Sequence, residues 1–329
     1  MTQEPATSTA TAETSPDPFL VWTAWLTPWL AMLPIIMGAL TTTKNAGMAF
    51  PDWPTSDQQG MFTYPWLQLV DGMFADPEKL NKFLEHGHRL AGTLLAPMIL
   101  ALIIATWTCS KSPRLRTLAI LMAIGVGIQG LLGGYRVELN EIFGKGLALI
   151  HGFFASLVFA LMCVVGVMAG KKWHNRKEHL GEKPVGALSK WAIGFIVLIC
   201  MQYLLGGFLR HRGTALHEHL TFGIISGIAV SILAVRIRKL KNPWLKSSSV
   251  KMVAITHFQV VLGLITFLTK FGLPSMGYVA VAGSTDQIFF RTLHMVTGVL
   301  VVSAATVTAV KLWMVKSLQL KASSVPSET

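Results

Sequence analysis

The sequence predicts an all-α, polytopic membrane protein of eight transmembrane helices arranged as two repeated four-helix bundles. Of the 329 residues, 52% are hydrophobic and only 13% are charged, whereas about 25% of residues are charged in a typical soluble domain. Mean hydropathy is +0.53. Eight apolar segments are each long enough to cross the hydrocarbon layer, which takes about 20 helical residues. They cover residues 20–43, 83–108, 115–135, 147–170, 189–209, 217–235, 250–269 and 289–314.

The basic residues predict which helix ends face the cytoplasm. Most of the 28 Lys and Arg residues lie in the loops after the second, fourth and sixth spans and in the C-terminal tail. The positive-inside rule therefore places these loops and both termini in the cytoplasm. The net charge of +12 follows from this bias, so it indicates contact with membrane lipid and no nucleic-acid partner.

The N-terminal segment and the cysteines add two expectations. Residues 1–18 are rich in Thr, Ser, Pro and acidic residues and lack Lys and Arg. This composition predicts a disordered cytoplasmic tail and differs from signal and transit peptides, which need basic residues. Cys109, Cys163 and Cys200 lie within spans or at their inner ends, so we expect no structural disulfide.

Two recurring patterns predict a repeat. A Gln followed four residues later by Gly recurs in corresponding spans, and so does a His followed four residues later by Gly. The matched positions are Gln129 and Gly133 with Gln259 and Gly263, and His88 and Gly92 with His219 and Gly223. Span five carries a further copy, Gln202 to Gly206, and Gly38 takes the glycine position in span one. Parallel repeats of this kind build other membrane proteins. The predicted divisions are a tail at 1–18, an N-terminal half at 19–170, a basic linker at 171–188, a C-terminal half at 189–314 and a tail at 315–329.

The segment Glu85-His86-Gly87-His88-Arg89 carries unusual charge at the edge of a span. Ionisable groups in a bilayer cost roughly 2.5–3.5 kcal/mol each on insertion and mark functional sites. Glu85 and His88 are three residues apart and share one helix face, while His86 points elsewhere. The pair can be an iron ligand beside a proton acceptor, or a helix-cap carboxylate beside an interfacial histidine.

Four of the ten histidines share a position in the repeat. His88, His151, His219 and His294 each lie near the outer start of an even-numbered span, so they share one depth near the outer face. Paired imidazoles from neighbouring helices are suited to hold a haem. We predict that His88 pairs with His151 and His219 with His294. His217 is the main rival of His219.

The other histidines and the outer arginines have simpler interpretations. We expect His174 and His179 to be solvated in the linker, His211 to lie in an outer loop, and His257 to be structural. Five arginines near the four histidines can bind haem propionates or reach lipid headgroups. They are Arg89, Arg136, Arg210, Arg212 and Arg291.

Several of these motifs together resemble one family. The outer loop Gly47-Met48-Ala49-Phe50-Pro51-Asp52-Trp53-Pro54, the Glu85/His88/Arg89 motif, Gln129 with its Leu-Gly-Gly turn, and the later histidines occur in order. Over residues 20–314 the chain resembles the haem A synthase (Cox15/CtaA) family. The resemblance implies an oxidoreductase of a bacterial inner membrane that uses haem b and oxidises the C8 methyl of haem o to a formyl group for cytochrome oxidase assembly.

The resemblance also implies residue roles and partners. Glu85 corresponds to the catalytic glutamate, His88 and His151 to the substrate-haem pair, and His219 and His294 to the haem b pair. Haem o synthase is the implied source of substrate, and an electron acceptor is required. A homo-oligomer is also compatible with the resemblance. Many bacterial members carry a cysteine pair in the first outer loop, where this chain has Phe50 and Ser56; a thiol–disulfide step is therefore not expected here.

Two other functions would use some of the same residues. A non-catalytic di-haem b-type electron-transfer cytochrome explains the four histidines but gives Glu85 no role. A transporter explains the repeat but leaves the histidines unassigned. In a haem A synthase, two histidines would fill both axial positions of the iron, so Glu85 would act at the porphyrin edge, with water as the oxygen source.

Overall fold

The structure is a computed structural model that describes residues 15–181 and 183–324, and within these ranges every regular element is a helix. Eight helices are long and apolar enough to cross a membrane, which confirms the prediction of an all-α, multi-pass membrane protein. Spans 1 to 4 are Pro18–Thr43, Pro77–Thr108, Pro113–Glu138 and Lys145–Ala169. Spans 5 to 8 are Gly186–Arg212, Leu216–Arg238, Pro243–Phe271 and Thr285–Ser323.

Four spans begin at a side-chain cap followed directly by proline. Asp17, Asp76, Ser112 and Asn242 each accept a hydrogen bond from a backbone N–H of the first turn. Proline is favoured at the next position because its missing N–H would have no partner inside the helix. This signal places the start of span 2 at Pro77 and of span 7 at Pro243, both six or seven residues before the apolar segments begin.

Span 2 is interrupted once, at Leu94, between the helices Pro77–Thr93 and Leu95–Thr108. Pro97 explains the break, because a proline lacks an N–H and its ring clashes with the carbonyl four residues earlier, here that of Thr93. The first part of span 2, Pro77–Thr93, is thus a separate helical piece, and it carries Glu85, His86, His88 and Arg89.

The helices pack in the same order in both halves of the chain. Span 1 packs against spans 2 and 4, and span 3 against spans 2 and 4; span 5 packs against spans 6 and 8, and span 7 against spans 6 and 8. Spans 4 and 8 join the halves. This order supports the two-bundle repeat, which remains an interpretation.

Polar contacts also cross between the halves, on spans 1, 4 and 5. Arg210 of span 5 donates to the carbonyl of Ala39, at 3.1 Å, and to Oγ1 of Thr43, at 2.7 Å, both in span 1. Tyr203 donates to the carbonyl of Gly152 in span 4 at 3.2 Å. The halves are therefore joined by hydrogen bonds as well as by apolar packing.

The linker and C-terminal segment are more structured than predicted. Span 8 continues as a helix to Ser323, past the predicted tail boundary at 315. Its Gln319 donates to the carbonyls of Leu180, Gly181 and Lys183 and accepts from the N–H of Val185. Residues 1–14 of the predicted tail at 1–18 lie outside the described part of the chain, and so do residues 325–329.

His179 is the clearest departure in the linker, because we expected it to be solvated. Its ring stacks on Trp244 at a centroid distance of 5.0 Å, and its carbonyl accepts from Asn242 at 2.8 Å. The aromatic surface of span 7 therefore holds this part of the linker. His174 is exposed, as predicted.

Candidate functional site

The structure brings the four repeat-matched histidines together as two pairs. The imidazole centroids of His88 and His151 are 6.1 Å apart, with ring planes at 75°. Those of His219 and His294 are also 6.1 Å apart, at 88°. The same separation therefore occurs once in each half, between even-numbered spans 2 and 4 and between spans 6 and 8.

Each histidine ring lies against a glycine of an odd-numbered span. A Cβ atom added to Gly38 would lie 2.8 Å from Cε1 of His88, and one added to Gly206 would lie 2.8 Å from Cε1 of His219. The corresponding distances are 3.4 Å for Gly133 and His151 and 3.1 Å for Gly263 and His294. The repeated glycines in the sequence thus leave room for the imidazoles.

Gly206→Ala is expected to displace the His219 ring, because a 2.8 Å approach is closer than packed carbon atoms allow, about 3.5–4.0 Å. If this ring ligates iron, the visible spectrum of the purified protein should show reduced haem content. Gly227→Ala is the matched control in the same half, since its Cβ would meet only Val260, at 3.7 Å. Equal haem content in the two variants would show that Gly206 does not position His219.

Glutamines hold three of the histidine-bearing helix segments. The amide of Gln129 donates to the carbonyl of His151 at 3.1 Å, that of Gln202 to the carbonyl of His219 at 2.8 Å, and that of Gln259 to the carbonyl of His294 at 2.9 Å. In span 1, Pro34 lies four residues before Gly38, as Gln202 lies before Gly206. Its carbonyl is 2.8 Å from Nδ1 of His88. Each histidine is thereby fixed by the neighbouring odd-numbered span.

The centroid separation of each pair is compatible with an iron held between two imidazoles. Metal–nitrogen bonds of about 2 Å on each side, with each nitrogen about 1 Å from its ring centre, would separate the centroids by roughly 6 Å. A metal-bound histidine is typically oriented by a hydrogen bond at its other ring nitrogen, and the contact between Nδ1 of His88 and a carbonyl is of this kind. Buried Nδ1 atoms of His151, His219 and His294 have no hydrogen-bond partner among the described residues, which is costly for a group with no other role.

Glu85 is a buried carboxylate one helical turn before His88 of the first pair. It is 4% exposed and lies in the ninth position of a helix that Asp76 caps, so the helix-cap alternative is wrong. Its Oε1 accepts from Nη2 of Arg89 at 2.7 Å, and its Oε2 accepts from the backbone N–H of Ala49 in the loop between spans 1 and 2. Glu85 therefore joins the loop to the helix that carries His88.

Arg89 also contacts the loop between spans 1 and 2. Its Nη1 donates to the carbonyls of Asp52, at 2.8 Å, and Thr55, at 2.6 Å. With the bond to Glu85, three of its donors are used within the protein, and its contact with a haem propionate stays a prediction. The guanidinium of Arg136 lies against Gly47 of the same loop and has no hydrogen bond within the described part of the chain.

Asp52 orders the tip of this loop. Its carboxylate accepts from the hydroxyl of Thr55 and from the backbone N–H groups of Asp57 and Gln58. Burial acts to raise the pKa of Asp52, but these hydrogen bonds outweigh it and hold the pKa below its usual 3.8. The carboxylate is thus charged at neutral pH and keeps the loop carbonyls in place for Arg89.

Phe50 and Ser56 of the loop are buried beside His86. Ser56 Oγ lies 2.9 Å from Nδ1 of His86, and both residues are at most 1% exposed. The ring of Tyr64 lies 4.7 Å from that of His86. His86 therefore packs into the loop, and Glu85 and His88 have different surroundings from it, as predicted.

The remaining histidines have other surroundings. His217 is exposed, while His219 faces His294. His211 lies in the last turn of span 5, and not in a loop as predicted, because the helix continues to Arg212. His257 bonds to the Val253 carbonyl one turn earlier in its own helix and to Ser231 of span 6.

Together these features define a multi-pass helical membrane protein with a histidine pair in each half and a buried carboxylate beside one pair. The sequence matches the COX15-CtaA family, described as cytochrome oxidase assembly protein, over residues 21–218. The chain belongs to this family.

Two curated relatives are similar to part of the chain. Heme A synthase of Bacillus cereus is 28% identical over 147 residues, which are 44% of this chain and 42% of that protein. Heme A synthase of Listeria welshimeri is 26% identical over 148 residues, again 44% and 42%. The match thus spans less than half the length of these relatives.

Proposed function

We propose that the protein is a haem A synthase, which oxidises the C8 methyl of haem o to a formyl group for cytochrome oxidase assembly. The observation that carries this proposal is the buried Glu85 carboxylate three residues before His88 on one helix, in a chain whose relatives are named for this activity. An electron-transfer cytochrome needs both histidine pairs, but in it this carboxylate would serve only to anchor the loop.

The two histidine pairs divide between substrate and cofactor. In this proposal, His88 and His151 hold haem o, and His219 and His294 hold haem b. A bound haem supplies an iron centre that exchanges single electrons. The protein supplies the rest: glycines that admit the imidazoles, a carbonyl of Pro34 that orients His88, and glutamines that fix the helix segments.

Glu85 is the group that acts at the porphyrin edge. His88 and His151 would hold the haem by its iron, so the group that acts at the porphyrin edge would have to be another side chain of the site, with water as the proposed oxygen source. A carboxylate can accept the proton of attacking water or stabilise positive charge that develops on the carbon. Arg89 and the Ala49 N–H hold Glu85 in place, so we assign Arg89 to positioning. Arg136 is then the guanidinium that binds a propionate.

Pigment analysis of the purified protein tests the proposal. Haem b together with haem o or haem A is expected. Haem b alone would indicate the electron-transfer cytochrome instead, and the absence of any haem would favour a transporter.

We also infer that both termini are cytoplasmic and that the histidine pairs lie toward the outer face of a bacterial inner membrane. A cysteine introduced at Phe74, which is 87% exposed in the first outer loop, should react with a membrane-impermeant maleimide in intact cells. A cysteine at Lys316, in the last turns of span 8, should react only after lysis, and the unsubstituted protein provides the background of the native cysteines. The reverse pattern would overturn this orientation.

A further inference from the structure

A lipid-facing cavity opens between spans 5 and 6, at the end of the bundle that carries the basic loops. Its volume is about 400 Å³, within the range of small-molecule sites, about 300–1,000 Å³. The lining residues are Lys190, Trp191, Gly194, Phe195, Leu198, Ala229 and Leu233. None of these residues belongs to the histidine site.

The mouth of the cavity is basic and aromatic. Lys190 lies one turn inside the start of span 5, and the guanidinium of Arg236 lies 5.2 Å from the ring centroid of Trp191. This stacking holds the guanidinium plane while its N–H edges stay available. Neither Lys190 nor Arg236 forms a salt bridge with any of the residues that the structure describes. The mouth therefore has two cationic groups that an anion can neutralise.

The floor of the cavity is apolar and runs toward the membrane interior. Leu198 lies eight residues beyond Lys190, about 12 Å deeper at roughly 1.5 Å per helical residue. Phe195 and Leu233 form a buried wall, at 4% and 2% exposure. A Cβ on Gly194 would meet no atom within 4 Å, so this glycine leaves a groove open along the helix surface.

We propose that this cavity binds an anionic phospholipid, with its phosphate at Lys190 and Arg236 and an acyl chain along Gly194, Phe195 and Leu198. Trp191 is placed where tryptophan favours the membrane–water interface. Basic pockets between transmembrane helices are a known way to bind anionic headgroups. A free phosphate ion would use the mouth but not the apolar floor, and a zwitterionic lipid would gain little from two unpaired cations.

The test measures how many lipids the intact protein retains after extraction from nanodiscs of equal parts phosphatidylglycerol and phosphatidylcholine, by native mass spectrometry. Wild type should retain phosphatidylglycerol in preference. Arg236→Gln should weaken that retention by about fivefold, the equivalent of the ~1 kcal/mol that one basic residue contributes near an anionic surface. Arg238→Gln is the matched control, since Arg238 is exposed on the same helix and, unlike Arg236, does not stack on Trp191 of the cavity wall.

A second pair of variants probes the floor. Gly194→Leu should reduce phosphatidylglycerol retention by filling the groove. Gly127→Leu should not, although Gly127 is also exposed and its Cβ would also meet no atom within 4 Å. Equal losses of phosphatidylglycerol retention in Arg236→Gln and Arg238→Gln would show that the lipid is held by diffuse attraction to a basic surface. That result would overturn the proposal. Equal retention of both lipids by wild type would also overturn it. So would a result in which inorganic phosphate displaces the bound lipid and Gly194→Leu retains as much phosphatidylglycerol as wild type. If Gly194→Leu does not fold, the arginine pair decides.

Discussion

A Glu85→Gln protein is expected to fold, to keep haem b and to make little haem A. Glutamine retains the side-chain volume and an oxygen that can accept from the Ala49 N–H, but it lacks the charge and the basic oxygen. General acid–base groups contribute about 10²–10⁴-fold to rate, so haem A formation should fall by about 10²-fold or more, with haem o or a hydroxylated intermediate accumulating. Extraction of haems from membranes, followed by chromatography, measures all three.

Two further variants separate catalysis from the anchoring of the loop. Glu78→Gln makes the same substitution on the same helix, at an exposed residue that pairs with Lys82, and should leave haem A yield unchanged. Arg89→Lys keeps a cation beside Glu85 but has no second nitrogen to bond the carbonyls of Asp52 and Thr55 at the same time, so it should loosen the loop with a smaller loss of product. Near-normal haem A from stable Glu85→Gln protein would refute the catalytic role. A larger loss in Arg89→Lys would identify Glu85 as a loop anchor.

The sequence predicted the eight spans because a bilayer requires long apolar helices, and hydropathy registers that requirement directly. It also grouped His88, His151, His219 and His294 correctly in space, since repeat phase and helix direction fix depth. The helix starts were less accurate. Polar first turns such as 77–82 carry no hydropathy signal, although the Asp76-Pro77 and Asn242-Pro243 pairs mark them.

Contacts made by loops could not be predicted in the same way. Spacing on a helix shows that Glu85 can reach Arg89 as well as His88, but only the folded loop shows that Ala49, Asp52 and Thr55 complete the arrangement. The stacking of His179 on Trp244 is a similar case, because their separation in sequence gives no sign of contact. Long-range contacts of irregular segments depend on tertiary structure that periodicity does not encode.

Replacing either histidine of the second pair with alanine is expected to remove haem b. Each imidazole would supply one of two axial bonds, and loss of even an outer contact to a metal ligand costs about 10–100-fold in affinity, so His219→Ala and His294→Ala should each lose at least that much. The absorption spectrum of the reduced protein measures the loss.

Two controls show whether that loss is specific to the second pair. His217→Ala should keep the haem b spectrum, because His217 is exposed and two residues from the ring that faces His294. His88→Ala should keep haem b while losing haem o, because its partner is His151, in the other half of the chain. Added imidazole should restore part of the spectrum of His219→Ala if the lost group was a ligand, whereas a packing role would not respond. A normal bis-histidine spectrum in both His219→Ala and His294→Ala would remove haem b from this pair.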